Sequence, residues 1–369
     1  MISSRLLSLV RCPDCRGHLA PSGDQLGCAG CGRRFPRSEG FLDLRPTDGY
    51  SEQTKYLDGA LHADARHETL SPPLLGARVR NDMLRSMLAP GPADIVIDLG
   101  CGSGRTLLWN EASGAAMAGL DVSPFFAAEA LARIDLVLGD LRRLPFGDGV
   151  FTKGFALDVM EHLSREALAD VLREASRVLA PQGVLFVYSH VRKNAPLAVG
   201  LRLVNRLAHA LERRGWLDLR QERLRKSDHL NPLADIPDLE RTAGAAGFRV
   251  DRIRYYTPVV GGFVENILVR LVEQALGRRA ARRAARDRTA VPRGLSRSDA
   301  GGADVVRAAA AGGDRAEAAR LARAEAKRRI AGRGPTYRAL LALTWLMKSD
   351  VWLFGRVRSG PFFARLVKN

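Results

Sequence analysis

Between Asp94 and His190 the chain alternates two textures. The blocks "IVIDL", "AAMAGL", "IDLVL", "VFTKGFAL" and "GVLFVYSH" are short, apolar and of strand length. Segments of helical composition separate them, including "RTLLWN" and "LREASRVLA", and a turn at Pro181-Gln182-Gly183 leads into the fifth block. Strand and helix in regular alternation predict a parallel α/β sheet. Beyond it, Leu201, Val204, Leu207, Ala208 and Leu211 fall at helical spacing, with arginines mostly on the opposite face. "LERTAGAAGFRVDRIRYYT" reads as one more helix and strand, and "FVENILVRLVEQALG" as an apolar helix. Arg278 to Gly334 is rich in Ala, Arg and Gly, with few large apolar residues, and reads as a flexible linker. Large apolar residues resume in "YRALLALTWLMKSDVWLFGRV", and "PFFARLVKN" reads as a final strand.

The length of 369 residues suits two or three domains. A composition 46% hydrophobic and 26% charged is ordinary for a soluble protein, but a formal net charge of +17 is not. It favours anionic partners, although Arg and Ala are abundant along most of the chain. The apolar run in "MISSRLLSLVRC" is too short for a secretion signal. No stretch has the length of a membrane-spanning helix; Lys348 and Asp350 interrupt the nearest. The expected location is cytoplasmic, with peripheral membrane contact as a variant, and there cysteines bind metal more readily than they form disulfides.

Four of the five cysteines form two C-x-x-C pairs, Cys12 with Cys15 and Cys28 with Cys31. Each pair supplies two corners of a tetrahedron, so together they suit one Zn2+. The twelve residues between the pairs read as a short hairpin turning at Ser22-Gly23-Asp24. With four protein ligands no coordination position is left open, so such a zinc is structural. The segment resembles the zinc-ribbon family whose stand-alone members activate tRNA and protein methyltransferases.

"DIVIDLGCGSGRTLLWN" is strand, glycine turn and helix, the opening of a nucleotide-binding unit. Gly100, Gly102 and Gly104 alternate as G-x-G-x-G, with Asp98 two residues before the first. This resembles motif I of the class I S-adenosylmethionine (SAM) methyltransferases. The next strand ends at Asp121, where an acid suits ribose hydroxyls. The third is followed by Asp140 and Leu141, and the resemblance implies that this acid meets the adenine amino group. The fourth leaves through "LDVMEHL", similar to the family's "DVLEHL" segment, and Asp158 joins the implied cofactor site. The pattern is most similar to the ubiquinone and menaquinone branch. The fold expected is therefore a Rossmann-like, seven-stranded methyltransferase sheet, with an N-terminal zinc ribbon and a long helical, partly disordered insertion before the last strand. The domains expected are 1–48 (ribbon), 49–256 plus 359–369 (methyltransferase), and 257–358 (insertion, with its linker at 278–334). Residues 49–93 read as helices over the cofactor, and the insertion after the fifth strand as a substrate lid.

Methyl transfer needs alignment of donor and acceptor, and a base only if the acceptor must lose a proton. Candidates for that role are His190, His229 and Asp158. Glu161 and His162 are read as opening a helix, where an acid is at home in any case. Cys101 is read as a packing residue. The leading function is methylation of a small-molecule or lipid-linked metabolite. The alternative is a tRNA, rRNA or protein methyltransferase using the ribbon and basic charge, against which "LDVMEH" lacks an N-P-P-Y-type pattern. A non-catalytic SAM-binding scaffold is a third reading, opposed by the intact acids and glycines. Trp345, Trp352 and Phe354 beside Lys and Arg suit a membrane surface or lipid-like substrate, or else helix packing. The Arg-rich linker suits weak nucleic-acid or anionic-membrane contact, without the interleaved aromatics of a specific reader.

Overall fold

The computed structural model describes residues 2–46, 70–192, 198–217, 219, 229–256, 258–272 and 332–369. Most of the predicted linker, residues 49–69 of the predicted cofactor cover and part of the predicted lid lie outside these residues. The chain begins with α1 (Ser4–Leu9), capped by Ser3, and two hairpin strands, β1 (Leu19–Ser22) and β2 (Gln25–Cys28). Strands β3 (Arg34–Ser38) and β4 (Phe41–Asp43) follow. After α2 (Leu75–Leu88) come β5 (Ile95–Leu99), α3 (Arg105–Asn110), β6 (Ala116–Asp121), α4 (Ala128–Arg133) and β7 (Asp135–Leu138). The second half holds β8 (Phe151–Leu157), α5 (Arg165–Val178), β9 (Leu179–His190), α6 (Ala198–Arg213), α7 (Ile236–Ala245) and β10 (Phe248–Tyr255). A short helix α8 (Val259–Phe263) runs into a π-helical turn, and α9 (Pro335–Phe354) and β11 (Pro361–Lys368) complete the described chain.

The strands lie side by side in the order β1-β2-β3-β4-β7-β6-β5-β8-β9-β11-β10. Strands β7, β6, β5, β8 and β9 are parallel, and their apolar composition reflects burial on both faces. The C-terminal β11 inserts antiparallel between β9 and β10. Helix α5 shows why these pieces dock. Ser164 caps it by accepting the N–H of Ala167, and Leu168, Val171, Leu172, Ala175 and Val178 form one buried stripe.

The sheet does not stop at the expected seven strands: the described residues contribute eleven. The reason is at the edge. Strand β4 pairs parallel with β7, Leu42 opposite Val137, and Leu44 N–H donates to Leu138 O at 2.9 Å. The backbone groups at the edge of β7 are thereby covered. Arg11 N–H donates to Pro145 O, Gly147 N–H to Leu9 O, and Ser3 Oγ to Asp135 Oδ2. Leu6, Leu26, Phe35 and Leu42 share one apolar core with Ile97, Leu120, Val137 and Phe146. The cysteine module is continuous with the sheet in both hydrogen bonding and core.

Three local expectations change. Glu161 and His162 lie in a 3₁₀ turn, Met160–His162, and the helix starts only after Ser164. Leu207 is 44% exposed, so α6 buries Ala208 but not the whole predicted stripe. Asp350, read as a break in an apolar stretch, is fully buried and accepts N–H bonds from Val260 and Gly261. It ties α9 to α8, while Met347 joins the core with Phe186, Tyr256 and Phe363.

Candidate active site

The order β7-β6-β5-β8-β9 reverses direction at β5, and a crevice opens there at the carboxyl ends of the strands. The glycine loop follows β5. Gly100 N–H and Cys101 N–H both donate to Leu120 O, which pins the loop to β6. Gly100 has φ +83°, and a Cβ there would lie 2.5 Å from Val159 Cγ2. Gly102 has φ +54° and faces space with no atom within 4 Å of a would-be Cβ. The first glycine therefore permits close packing, and the second leaves the backbone open toward the crevice. Gly104, at φ +81°, precedes α3. Cys101 is buried, and burial pushes its thiol well above the ordinary range, as a packing residue requires.

Asp121 at the end of β6 accepts from Gly102 N–H through Oδ2, at 2.7 Å, and from Ser123 N–H and Oγ through Oδ1. Asp98 is 3% exposed. Burial, and then the charge of Asp121, push its carboxyl well above the usual range. Asp140 is buried beside half-buried Leu141, and its carboxylate accepts from Arg142 N–H at 2.8 Å and pairs with the Arg142 guanidinium. Nothing in the local sequence marks Arg142 as that intramolecular partner.

Asp158 leaves β8 in left-handed backbone, φ +56°. Its carboxylate lies 3.4 Å from Arg80 Nε, and the Arg80 guanidinium sits 5.5 Å from the Tyr188 ring centre. Burial opposes the charge on Arg80, but Asp158, and further Glu265, raise its affinity for the proton. Arg80 comes from α2, 78 positions earlier, and nothing in local sequence distinguishes it from other arginines. Next to Asp158, Glu161 is 1% exposed and accepts from Ser189 Oγ at 2.9 Å. His190 Nδ1 lies 3.4 Å from Glu161 Oε1. Burial disfavours the Glu161 carboxylate, yet His190 and Ser189 hold its pKa below the usual value. The rings of His162 and His229 meet edge to face at 4.7 Å, and His190 is 6.2 Å from His229. The structure thus brings Asp158, His190 and His229 to one end of β8 and β9, with Glu161 and His162 among them.

The four cysteine sulfurs lie within 4.8 Å of one another, with Cys15–Cys28 at 3.4 Å and Cys12–Cys31 at 3.8 Å. A tetrahedral zinc with bonds of about 2.3 Å requires sulfur separations of about 3.8 Å. The donor set fits that ion. Burial pushes the Cys12 thiol up to about 12. Burial also opposes ionisation of Cys28, but the N–H groups of Cys31 and Gly30 and the thiol of Cys15 bring it down to about 7.

Residues 97–187 match the family profile described as Methyltransferase domain. Demethylmenaquinone methyltransferase of Mycobacterium tuberculosis is 36% identical over 104 residues, 28% of this chain and 44% of that protein. An uncharacterized methyltransferase of Synechocystis is 32% identical over 100 residues, 26% and 47% of the respective chains. This chain spans less than half the length of either relative. Phosphoethanolamine N-methyltransferase 2 of Haemonchus contortus, solved with SAM, is a structural neighbour at 16% identity and a TM-score of 0.44. The match covers 86% of this chain and 58% of that one. Residues 97–187, which include the crevice after β5, thus form a methyltransferase domain of the SAM-dependent kind. Among the described residues, no helix is long and apolar enough to cross a membrane.

Proposed function

We propose that the chain transfers a methyl group from SAM to a small-molecule or lipid-linked metabolite. The observation that carries this is the pair Asp98 and Asp121 beneath the open face of Gly102. A buried acid whose charge is opposed by burial and by a neighbouring acid, Asp98 beside Asp121, suits a ligand with a cationic amino-acid end and a hydroxylated sugar. SAM is such a ligand, and it supplies a methyl group already activated on a positively charged sulfur. Asp121 would hold the ribose and Asp98 the amino end. Asp140 and Leu141 would meet the adenine, with the Asp140 carboxylate shared with Arg142. Asp158, fixed by Arg80, would border the methyl group. His190 or His229 would take a proton from an acceptor hydroxyl if one must be lost.

The four cysteines would hold one structural zinc, which shapes the module and offers no position to substrate. We assign residues 1–48 to this ribbon, 49–256 with 359–369 to the catalytic domain, and 257–358 to an insertion that bears on acceptor binding. Support for a lipid-like acceptor comes from α9, which leaves Trp345 65% and Trp352 83% exposed.

The test is a transfer assay in which purified protein meets methyl-labelled SAM and a cell extract. Label in the organic-soluble or small aqueous fraction is the expected result. Label in RNA or protein would replace the metabolite reading with a macromolecular one. No label in any fraction, with SAM binding intact, would favour a scaffold.

A further inference from the structure

We propose that Glu161, His162 and His229 form a second metal site, which takes one divalent first-row transition ion. Each residue offers one ligand atom, a carboxylate oxygen or an imidazole nitrogen, and these atoms lie within 4.8 Å of one another. Glu161 and His162 are adjacent, whereas His229 lies 67 positions beyond His162, and the fold holds it there by specific contacts. Leu230 N–H and Asn231 N–H both donate to the Glu161 carbonyl, at 2.8 and 2.9 Å. Asn231 accepts left-handed backbone, φ +45°, at this junction. His229 is thereby clamped to the turn that carries Glu161 and His162.

A second observation also points to a ligand. His190 Nδ1 is buried, and it lies 3.4 Å from Glu161 Oε1 without hydrogen-bond geometry or any other partner among the described residues. Ser189 satisfies the other oxygen, Oε2. His190 Nδ1 is thus an under-used polar atom at the edge of the cluster, where buried polar groups are normally paired. A cation bound to Glu161 would compensate the buried carboxylate.

Two imidazoles and one carboxylate suit Zn2+, Mn2+, Fe2+ or Co2+ better than Mg2+ or Ca2+, which prefer all-oxygen shells. Unlike the four-thiolate set, three protein ligands leave coordination positions open. Their place is informative, because Val159, two residues before Glu161, packs against Gly100 of the glycine loop. The open positions would take an oxygen of the methyl acceptor, and with His229 bound to the ion His190 would be left as the base. That assignment of the occupant rests on the methyl-transfer reading, whereas binding of the ion does not.

The experiment uses the full chain dialysed against a chelator and then titrated with Mn2+, an ion that thiolates hold poorly. Free Mn2+ is followed by electron paramagnetic resonance. Uptake of one equivalent by the native chain is expected, and His229→Ala should weaken it by at least about 10- to 100-fold, the scale already seen when only an outer-shell partner of a ligand is lost. His162→Gln, measured in parallel, should do the same. SAM binding by calorimetry, retained in either variant, shows that the fold survives. No uptake by the native chain, or equal uptake by folded variants, overturns the proposal. Normal Mn2+ uptake with no methylated product in any extract would instead leave the metal site standing and remove the acceptor reading.

Discussion

Asp121 Oδ2 accepts the N–H of Gly102 at 2.7 Å, so the acid that ends β6 also fixes the glycine loop after β5. A substitution here should act twice, once on a ribose contact and once on the loop. Asp121→Ala should weaken SAM binding about 10- to 100-fold, the range for hydrogen bonds to a charged group. Isothermal calorimetry measures this directly. Unchanged affinity would remove Asp121 from the cofactor site.

Asp98 lacks such compensation, and its carboxyl is raised by burial first and by Asp121 second. A raised folded pKa means that the folded state holds the proton more tightly than the unfolded state, whose value is near 3.8. Stability contributed by this group is therefore full at low pH and falls as pH rises from that value through the folded one. Asp98→Asn should stabilise the ligand-free protein near neutral pH by roughly 1–2 kcal/mol while weakening SAM binding. Thermal melts with and without SAM would show the two effects with opposite sign. A variant that melts lower without ligand would contradict this account of Asp98.

The path from sequence to site was uneven for physical reasons. Strands β5 to β9 were readable because each is a short apolar block buried on both faces, a pattern set locally. The glycines and acids at their ends were readable by spacing. Arg80 was not, because its meeting with Asp158 depends on how α2 crosses the sheet. The Arg142 partner of Asp140 is two residues away but resembles any other exposed arginine in sequence. The extension of the sheet through β4 was also hidden, since a three-residue strand carries almost no periodic signal. Glu161 shows how a local rule misleads. An acid before a helix suggests dipole pairing, yet here it is buried against Ser189 and His190.

Loss of the proposed ribbon zinc should not unfold the ribbon alone. Leu6, Leu26 and Phe35 belong to the same core as Ile97 and Phe146, and β4 pairs with β7. Arg16 of the module also pairs with Glu174 of α5, at 3.1 Å. Cys12→Ser with Cys28→Ser should lower the melting temperature of the whole protein, with one transition instead of two. Scanning calorimetry together with zinc analysis would test it. A separate low-temperature transition, with the main one unmoved, would show that the module is energetically independent.

The segment that follows His229 depends on one ion pair. Arg165 Nη1 and Nη2 reach Asp238 Oδ2 and Oδ1, both at 2.7 Å, and Ala234 N–H also donates to Oδ2. Asp238 is 2% exposed, whereas Arg165 is half exposed, so solvent screens part of the attraction. The guanidinium of Arg165, opposed by burial, holds the Asp238 carboxyl far below its ordinary value. A depressed folded pKa gives stability that is present above the unfolded value near 3.8 and is lost as pH falls through the folded one. Asp238→Asn should cost about 2 kcal/mol at neutral pH, since buried donors lose a charged acceptor. The cost should shrink as pH falls below the unfolded value near 3.8, where the unfolded carboxyl takes up a proton while the native one stays ionised. Urea unfolding of both proteins at pH 7 and at pH 3 measures the difference. An equal cost at the two values would mean that shape, not charge, accounts for the conformation of residues 229–238.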